Sequence, residues 1–198
     1  MGDEIMAWNL RNMTSPVMSR AWAMPNRSTF DVPPIADMVR KYLCGVSVDP
    51  FARNKRWATH TNDLNPFTEA EHHMDAVTFL NILADNGVKA DCVILDPPYS
   101  PRQIAECYQA AGLNIGMKDT QNAALYASVR TSARRLCGIG TTVLSFGWNS
   151  AGMGAGFQTL ELLLVAHGGA HNDTICMAER MVEEQMDLLS VAEGCSHE

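Results

Sequence analysis

The residues Asp91-Cys92-Val93-Ile94-Leu95-Asp96-Pro97-Pro98-Tyr99-Ser100 constrain this chain more than any other stretch. Val93 to Leu95 is a short continuous apolar run, the pattern of a strand buried on both faces of a parallel sheet. Proline has no N–H to give a sheet ladder, so the chain must leave the sheet at Pro97. Chemistry on an open α/β sheet gathers at the carboxyl ends of such strands. Here that end carries one carboxylate, the stiff carbonyl of Pro97 and an aromatic face. The set suits a flat ring bearing an amino group.

The neighbouring segments alternate in kind. Residues 1–27 lack periodicity and mix Trp8 and Trp22 with Arg11, Arg20 and Arg27. They read as an arm that either packs on the body or faces a substrate. Prolines extend residues 29–34. Apolar residues at helical spacing predict a helix over 35–43, ended by Gly45. Short strands are expected over 46–51 and 58–66, each followed by an acid and a proline. A helix is expected over 74–84, then the strand 91–96, then helices over 101–111 and 123–136. The second of these carries Arg130, Arg134 and Arg135, either as a solvated face or as nucleic-acid contacts. The strand 141–146 precedes a glycine-rich loop, 147–157. Strands over 160–166 and 174–177 are joined by the polar residues His167 to Asp173, which reads as a hairpin. A closing helix is expected over 182–192. Strands alternating with helices predict one α/β domain: a mostly parallel sheet flanked by helices, with a C-terminal antiparallel hairpin at its edge.

Charge narrows the partners. The net charge of -7 is unevenly placed. Of 22 acids and 15 bases, eight acids and a single base, Arg180, follow Gln158. The body is neutral and the tail acidic, which argues against strong nonspecific binding through phosphates alone. No run approaches the ~20 apolar residues of a membrane span. The first residues have neither the basic nor the apolar region of a secretory signal. The six cysteines include no C-x-x-C pair and read as reduced thiols in a cytoplasmic protein. Gly168-Gly169 breaks any helix that would align His167 with His171, so no metal site is expected.

Asp49, Asp63, Asp75 and Asp96 follow successive elements, and in a doubly wound sheet such ends line one crevice. An acid after the second strand is well placed for ribose hydroxyls. Capping and loop solvation are the plain alternative for each Asp singly.

At these residues the chain resembles a family. Asp96-Pro97-Pro98-Tyr99 is similar to the D-P-P-Y motif of S-adenosylmethionine-dependent amino-methyltransferases acting on DNA bases. The resemblance covers roughly residues 28–180 and looks closest to small, phage-type adenine-specific enzymes. It implies a class I methyltransferase-like (Rossmann-like) fold in a single domain: an arm over 1–27, a catalytic core over 28–180 and an acidic tail over 181–198. It assigns the transfer step to Asp96, Pro97, Pro98 and Tyr99. It assigns S-adenosylmethionine binding to Phe30, Pro34, Asp49, Pro50, Phe51, Asp63, Asp75 and Ala76. Ser100, Arg102, Trp148 and Asn149 become substrate contacts. The implied partner is DNA, with a homodimer as the means of gripping it, since no separate recognition domain is present. Where the family's first motif continues F-x-G-x-G, Phe51 is followed here by Ala52-Arg53-Asn54, with Asn54 the residue suited to a left-handed turn. A non-catalytic relative, and the same chemistry on cytosine N4 or on RNA, stay open as alternatives.

Overall fold

The apolar run is a four-residue strand, β4 (Cys92–Leu95), buried at every position. Its side chains alternate between two separate cores. Cys92 and Ile94 face one, and Val93 and Leu95 face the other. Burial on both sides is why the run has no polar alternation. The computed structural model describes residues 15–112 and 122–183. The remaining strands are β1 (Val17–Trp22), β2 (Ser47–Asp49), β3 (His60–Thr61), β5 (Thr142–Gly147), β6 (Phe157–Ala166) and β7 (Thr174–Met181). They form one sheet in the order β1-β6-β7-β5-β4-β2-β3.

Helix α1 (Pro33–Tyr42) covers one face, setting Ile35, Met38 and Val39 against Ile94, Leu144 and Phe146. Two prolines open it with the fixed φ that a first helical turn needs. Helices α2 (Ala76–Asp85) and α4 (Asn122–Arg134) cover the other face, where Phe79, Leu80, Val129 and Ala133 meet Val93, Leu95 and Val143. Helix α3 (Pro101–Ala110) leaves the end of β4, with Ser100 as its cap. This is the mostly parallel, helix-flanked sheet with a terminal hairpin that the alternation of segments implies, and the Rossmann-like arrangement that the resemblance implies.

Several details differ from the sequence expectations, among them Thr29–Asp31, which form a 3-10 turn, and Pro33, where α1 already begins, in place of extended chain. The arm is not wholly irregular, because Val17–Trp22 pairs in parallel with Glu161–Ala166 as an edge strand. It is exposed almost throughout, so it carries no apolar alternation to read. The antiparallel strand is not at the edge either. β7 lies between β5 and β6 and is antiparallel to both. Its residues are buried at most positions on both faces, and only an interior place provides that. The strand expected over 58–66 shrinks to two residues, after which Asn62 makes an isolated bridge to His72. Residues 113–121 and the closing helix, from residue 184 onward, lie outside the described residues, as do residues 1–14 of the arm.

Among the described residues no helix is long and apolar enough to cross a membrane. No group of three or more His, Cys, Asp or Glu there could hold a metal ion. His167 is buried instead, with Nδ1 2.9 Å from the Ala23 carbonyl and Nε2 2.9 Å from the Thr174 hydroxyl. Cys92, Cys137 and Cys176 are buried thiols.

Candidate functional site

The strand order reverses between β2 and β4. From β2 the chain steps outward to β3, then returns to place β4 on the other side. A crevice at the carboxyl ends of the two strands is the geometric consequence. A cavity of about 730 Å³ opens there, within the range of small-ligand sites. Phe51 and Arg53 line it from beyond β2, Asp63, Asn65 and Phe67 from beyond β3, and Asp96 to Tyr99 from beyond β4. Asn26, Arg27 and Thr29 add the segment before α1, and Gln103, Glu106 and Cys107 add α3.

The turn after β2 is held by side chains. Asp49 is buried, and its carboxylate accepts the Phe51 N–H at 2.9 Å. Burial, reinforced by the nearby negative charges of Asp96 and Asp63, raises the Asp49 carboxyl to about 8. Asn62, wholly buried, donates through Nδ2 to the carbonyls of Pro50 and Met74 and accepts the Met74 N–H. The left-handed residue of the turn is Arg53, with φ 51°, and not Asn54 as the sequence suggests. Asn54 uses its side-chain oxygen to accept the Glu69 N–H at 3.1 Å. Asp63 clamps the arrangement: Oδ2 accepts the Arg53 N–H at 3.1 Å and Oδ1 accepts the Asn65 N–H at 2.8 Å.

At the end of β4, the Tyr99 hydroxyl donates to Asp96 Oδ1. The Tyr99 N–H donates to Gln103 Oε1 at 2.6 Å, drawing the motif onto the first turn of α3. Burial pushes the Asp96 carboxyl above its ordinary range, while hydrogen bonds from Tyr99 and Thr29 and the Arg53 charge pull the other way. Burial also raises the Tyr99 phenol, with the Asp96 charge adding to it. A second, smaller crevice of about 30 Å³ lies on the far side of Pro97, lined by Leu95, Tyr126, Arg130, Asn149 and Gly152. Pro97 is therefore a wall of both spaces.

The structure brings only part of the predicted set to the main cavity. Phe51, Asp63, Asp96, Pro97, Pro98 and Tyr99 line it. Phe30, Pro34, Asp49, Pro50, Asp75 and Ala76 do not. Phe30 is a core residue stacked on Trp57, with Phe146 edge-on to it. Pro34 is in the first turn of α1. Pro50 carries the carbonyl that Asn62 holds. Asp75 caps α2 by accepting the Thr78 N–H at 3.0 Å, and Ala76 is buried in that helix. Among the expected substrate contacts, Ser100 caps α3 by accepting the Gln103 N–H, and Arg102 pairs with Glu106 on the exposed side of that helix. Trp148 is 42% exposed, with its ring centroid 5.7 Å from that of Tyr99. Asn149 lines the second crevice.

Sequence reasoning passed over Thr29, Arg53, Asn65, Phe67 and Gln103 as lining residues. Phe67 stood out in retrospect, because an aromatic 88% exposed beside Pro66 has no core to serve. The three arginines Arg130 and Arg134 on α4 and Arg135 just beyond it are not a free basic face. Arg134 donates to the carbonyls of Met153 and Ala155, and Arg135 holds Asn81 and Asp85. Arg130 borders the second crevice.

No protein-family model matches the chain, and no curated protein matches it. Among the solved structures it is similar to is that of NSun6 from Pyrococcus horikoshii with SFG, at 13% sequence identity and a TM-score of 0.46. The alignment covers 70% of this chain and 48% of that one, so the chain spans about half the length of that protein.

Proposed function

We propose that the protein transfers a methyl group from S-adenosylmethionine to the exocyclic N6 amine of adenine in DNA. The observation that carries this reading is the placement of Asp96-Pro97-Pro98-Tyr99 at the switch point of the sheet, with Pro97 shared between a large and a small crevice. The donor set of the larger cavity fits the cofactor. Asp63 is an acid beyond the second of the paired strands, where ribose hydroxyls are met, and Phe51 and Phe67 offer apolar faces to a purine. When bound, S-adenosylmethionine supplies a methyl group activated by its sulfonium sulfur.

The chain's own part is orientation and electrostatics. An exocyclic amine is a weak nucleophile because its lone pair is delocalised into the ring. Accepting its two N–H groups on the Asp96 carboxylate and the Pro97 carbonyl localises that pair as the new carbon–nitrogen bond forms and the carbon–sulfur bond breaks. Tyr99 and Thr29 hold the Asp96 carboxyl in place through hydrogen bonds, Tyr99 at Oδ1. The amine then gives up one proton. Tyr99 and Trp148 offer aromatic faces to the ring. In a duplex the base must first leave the stack, at a cost of a few kcal/mol.

The test uses isotopically labelled S-adenosylmethionine, unmethylated DNA and RNA, and mass spectrometry of the released nucleosides. N6-methyl-2′-deoxyadenosine from DNA, lost in Asp96→Ala, is the expected outcome. Cofactor binding without any methylated base sinks this reading in favour of a non-catalytic relative. A methylated cytosine or RNA product moves the chemistry to another base or polymer. Sizing the protein with and without duplex reports whether a second copy joins on DNA.

A further inference from the structure

Arg53 is, among the described residues, the one non-glycine residue with a left-handed backbone. An arginine there carries a steric cost that glycine would not. Both ends of the residue are nevertheless fixed. Its N–H donates to Asp63 Oδ2 at 3.1 Å, and its Nη1 donates to the Arg27 carbonyl at 2.6 Å. Arg53 lines the main cavity together with Asp63, Asp96 and Glu106, yet among the described residues it forms no ion pair with any of them. A guanidinium has five donors in a planar fork, and the Arg27 carbonyl takes one. Arg27 is a second cation on the same cavity, also without an ion pair among the described residues. Glu106 is paired with Arg102, so Asp63 and Asp96 are the acids that share the cavity with Arg27 and Arg53. Such a lining offers cationic partners to a carboxylate and acidic ones to cationic or hydroxyl groups.

We propose that Arg53 is a cofactor-binding residue whose guanidinium takes the carboxylate of the ligand's amino-acid end. This rests on reading the cavity as the S-adenosylmethionine site. A planar fork facing a carboxylate is the geometry in which arginine gives both affinity and direction. The acids then serve the cationic and hydroxyl groups, and Arg53 sets which end of the ligand enters where.

The test is calorimetry on the full chain with S-adenosylhomocysteine and with its decarboxylated analogue. Arg53→Gly removes the guanidinium and suits the left-handed backbone, and Arg53→Asn, which also tolerates it, serves as a second variant. Affinity for S-adenosylhomocysteine is expected to fall about tenfold in both variants, the size of a lost charge-assisted hydrogen bond. Affinity for the decarboxylated analogue is expected to change less than about twofold by the same reasoning. If the two ligands lose affinity together, or neither does, the assignment of Arg53 is overturned while the cofactor reading stands. If the parent protein binds neither ligand, both fall.

Discussion

Asp49 shows how burial turns an ordinary residue into a pH-dependent one. Its carboxyl is held at about 8 by desolvation, against an ordinary value of 3.8. Between those values the folded chain keeps a proton that the unfolded chain has released. The stability tied to neutral Asp49 is therefore complete below about pH 4 and is lost as pH rises through about 8. Asp49→Asn keeps an acceptor for the Phe51 N–H and cannot ionise. Its stability relative to the parent is expected to grow by more than about 1 kcal/mol between about pH 4.5 and pH 8. Urea denaturation at the two pH values measures this, and equal slopes for the two proteins would contradict the assignment. The acid itself was legible in the sequence as the end of a strand. Its burial was not, because that depends on the turn folding back over it through Asn62, whose contacts with Pro50 and Met74 lie twelve residues away on either side.

At the scale of elements, the sequence named most helices and strands because their cues are local. Prolines open α1 and α3, Asp75 precedes α2, and an unbroken apolar run makes β4. It left two roles open for Asp75, a helix cap and a ligand contact, which look alike in one dimension, and the structure shows the cap. Asp75→Ala is expected to cost about 1 kcal/mol of stability through the lost cap, with S-adenosylhomocysteine affinity unchanged. Denaturation and calorimetry on the same preparation separate the two roles. The glycine-rich connection between β5 and β6 has its own anchor. Glu179 of β7 is buried and accepts the Met153 N–H at 2.9 Å, and burial raises its carboxyl. A Cβ on Gly152 would stand 2.5 Å from Glu179 Oε1, on a backbone with φ +57°. Gly152→Ala is therefore expected to destabilise the fold by about 1–3 kcal/mol, read as a lowered melting temperature. Indifference to that change would mean that the loop is not tied to the sheet.

For the whole molecule, charge placement limits how a polynucleotide is held. The net charge is -7, and Arg134 at the end of α4 and Arg135 just beyond it are engaged by their own chain. Binding to duplex DNA is expected to show a shallow salt dependence, with a log–log slope smaller in magnitude than about 4, against the steeper slopes of proteins that neutralise many phosphates. Fluorescence anisotropy across a salt series measures it, and a steep slope would contradict this expectation. The alternation of apolar runs, prolines and glycines determined the element types, the α/β class and the strand end that carries Asp96. Each of those depends on side chains adjacent along the chain. Three features were settled by packing between distant segments: the interior position of β7, the pairing of Val17–Trp22 with β6, and the choice of Arg53 over Asn54 for the left-handed turn. Strand neighbours are chosen by which apolar faces remain to be covered. A turn's geometry is chosen by where its N–H groups find acceptors, here the Asp63 carboxylate brought in by another strand.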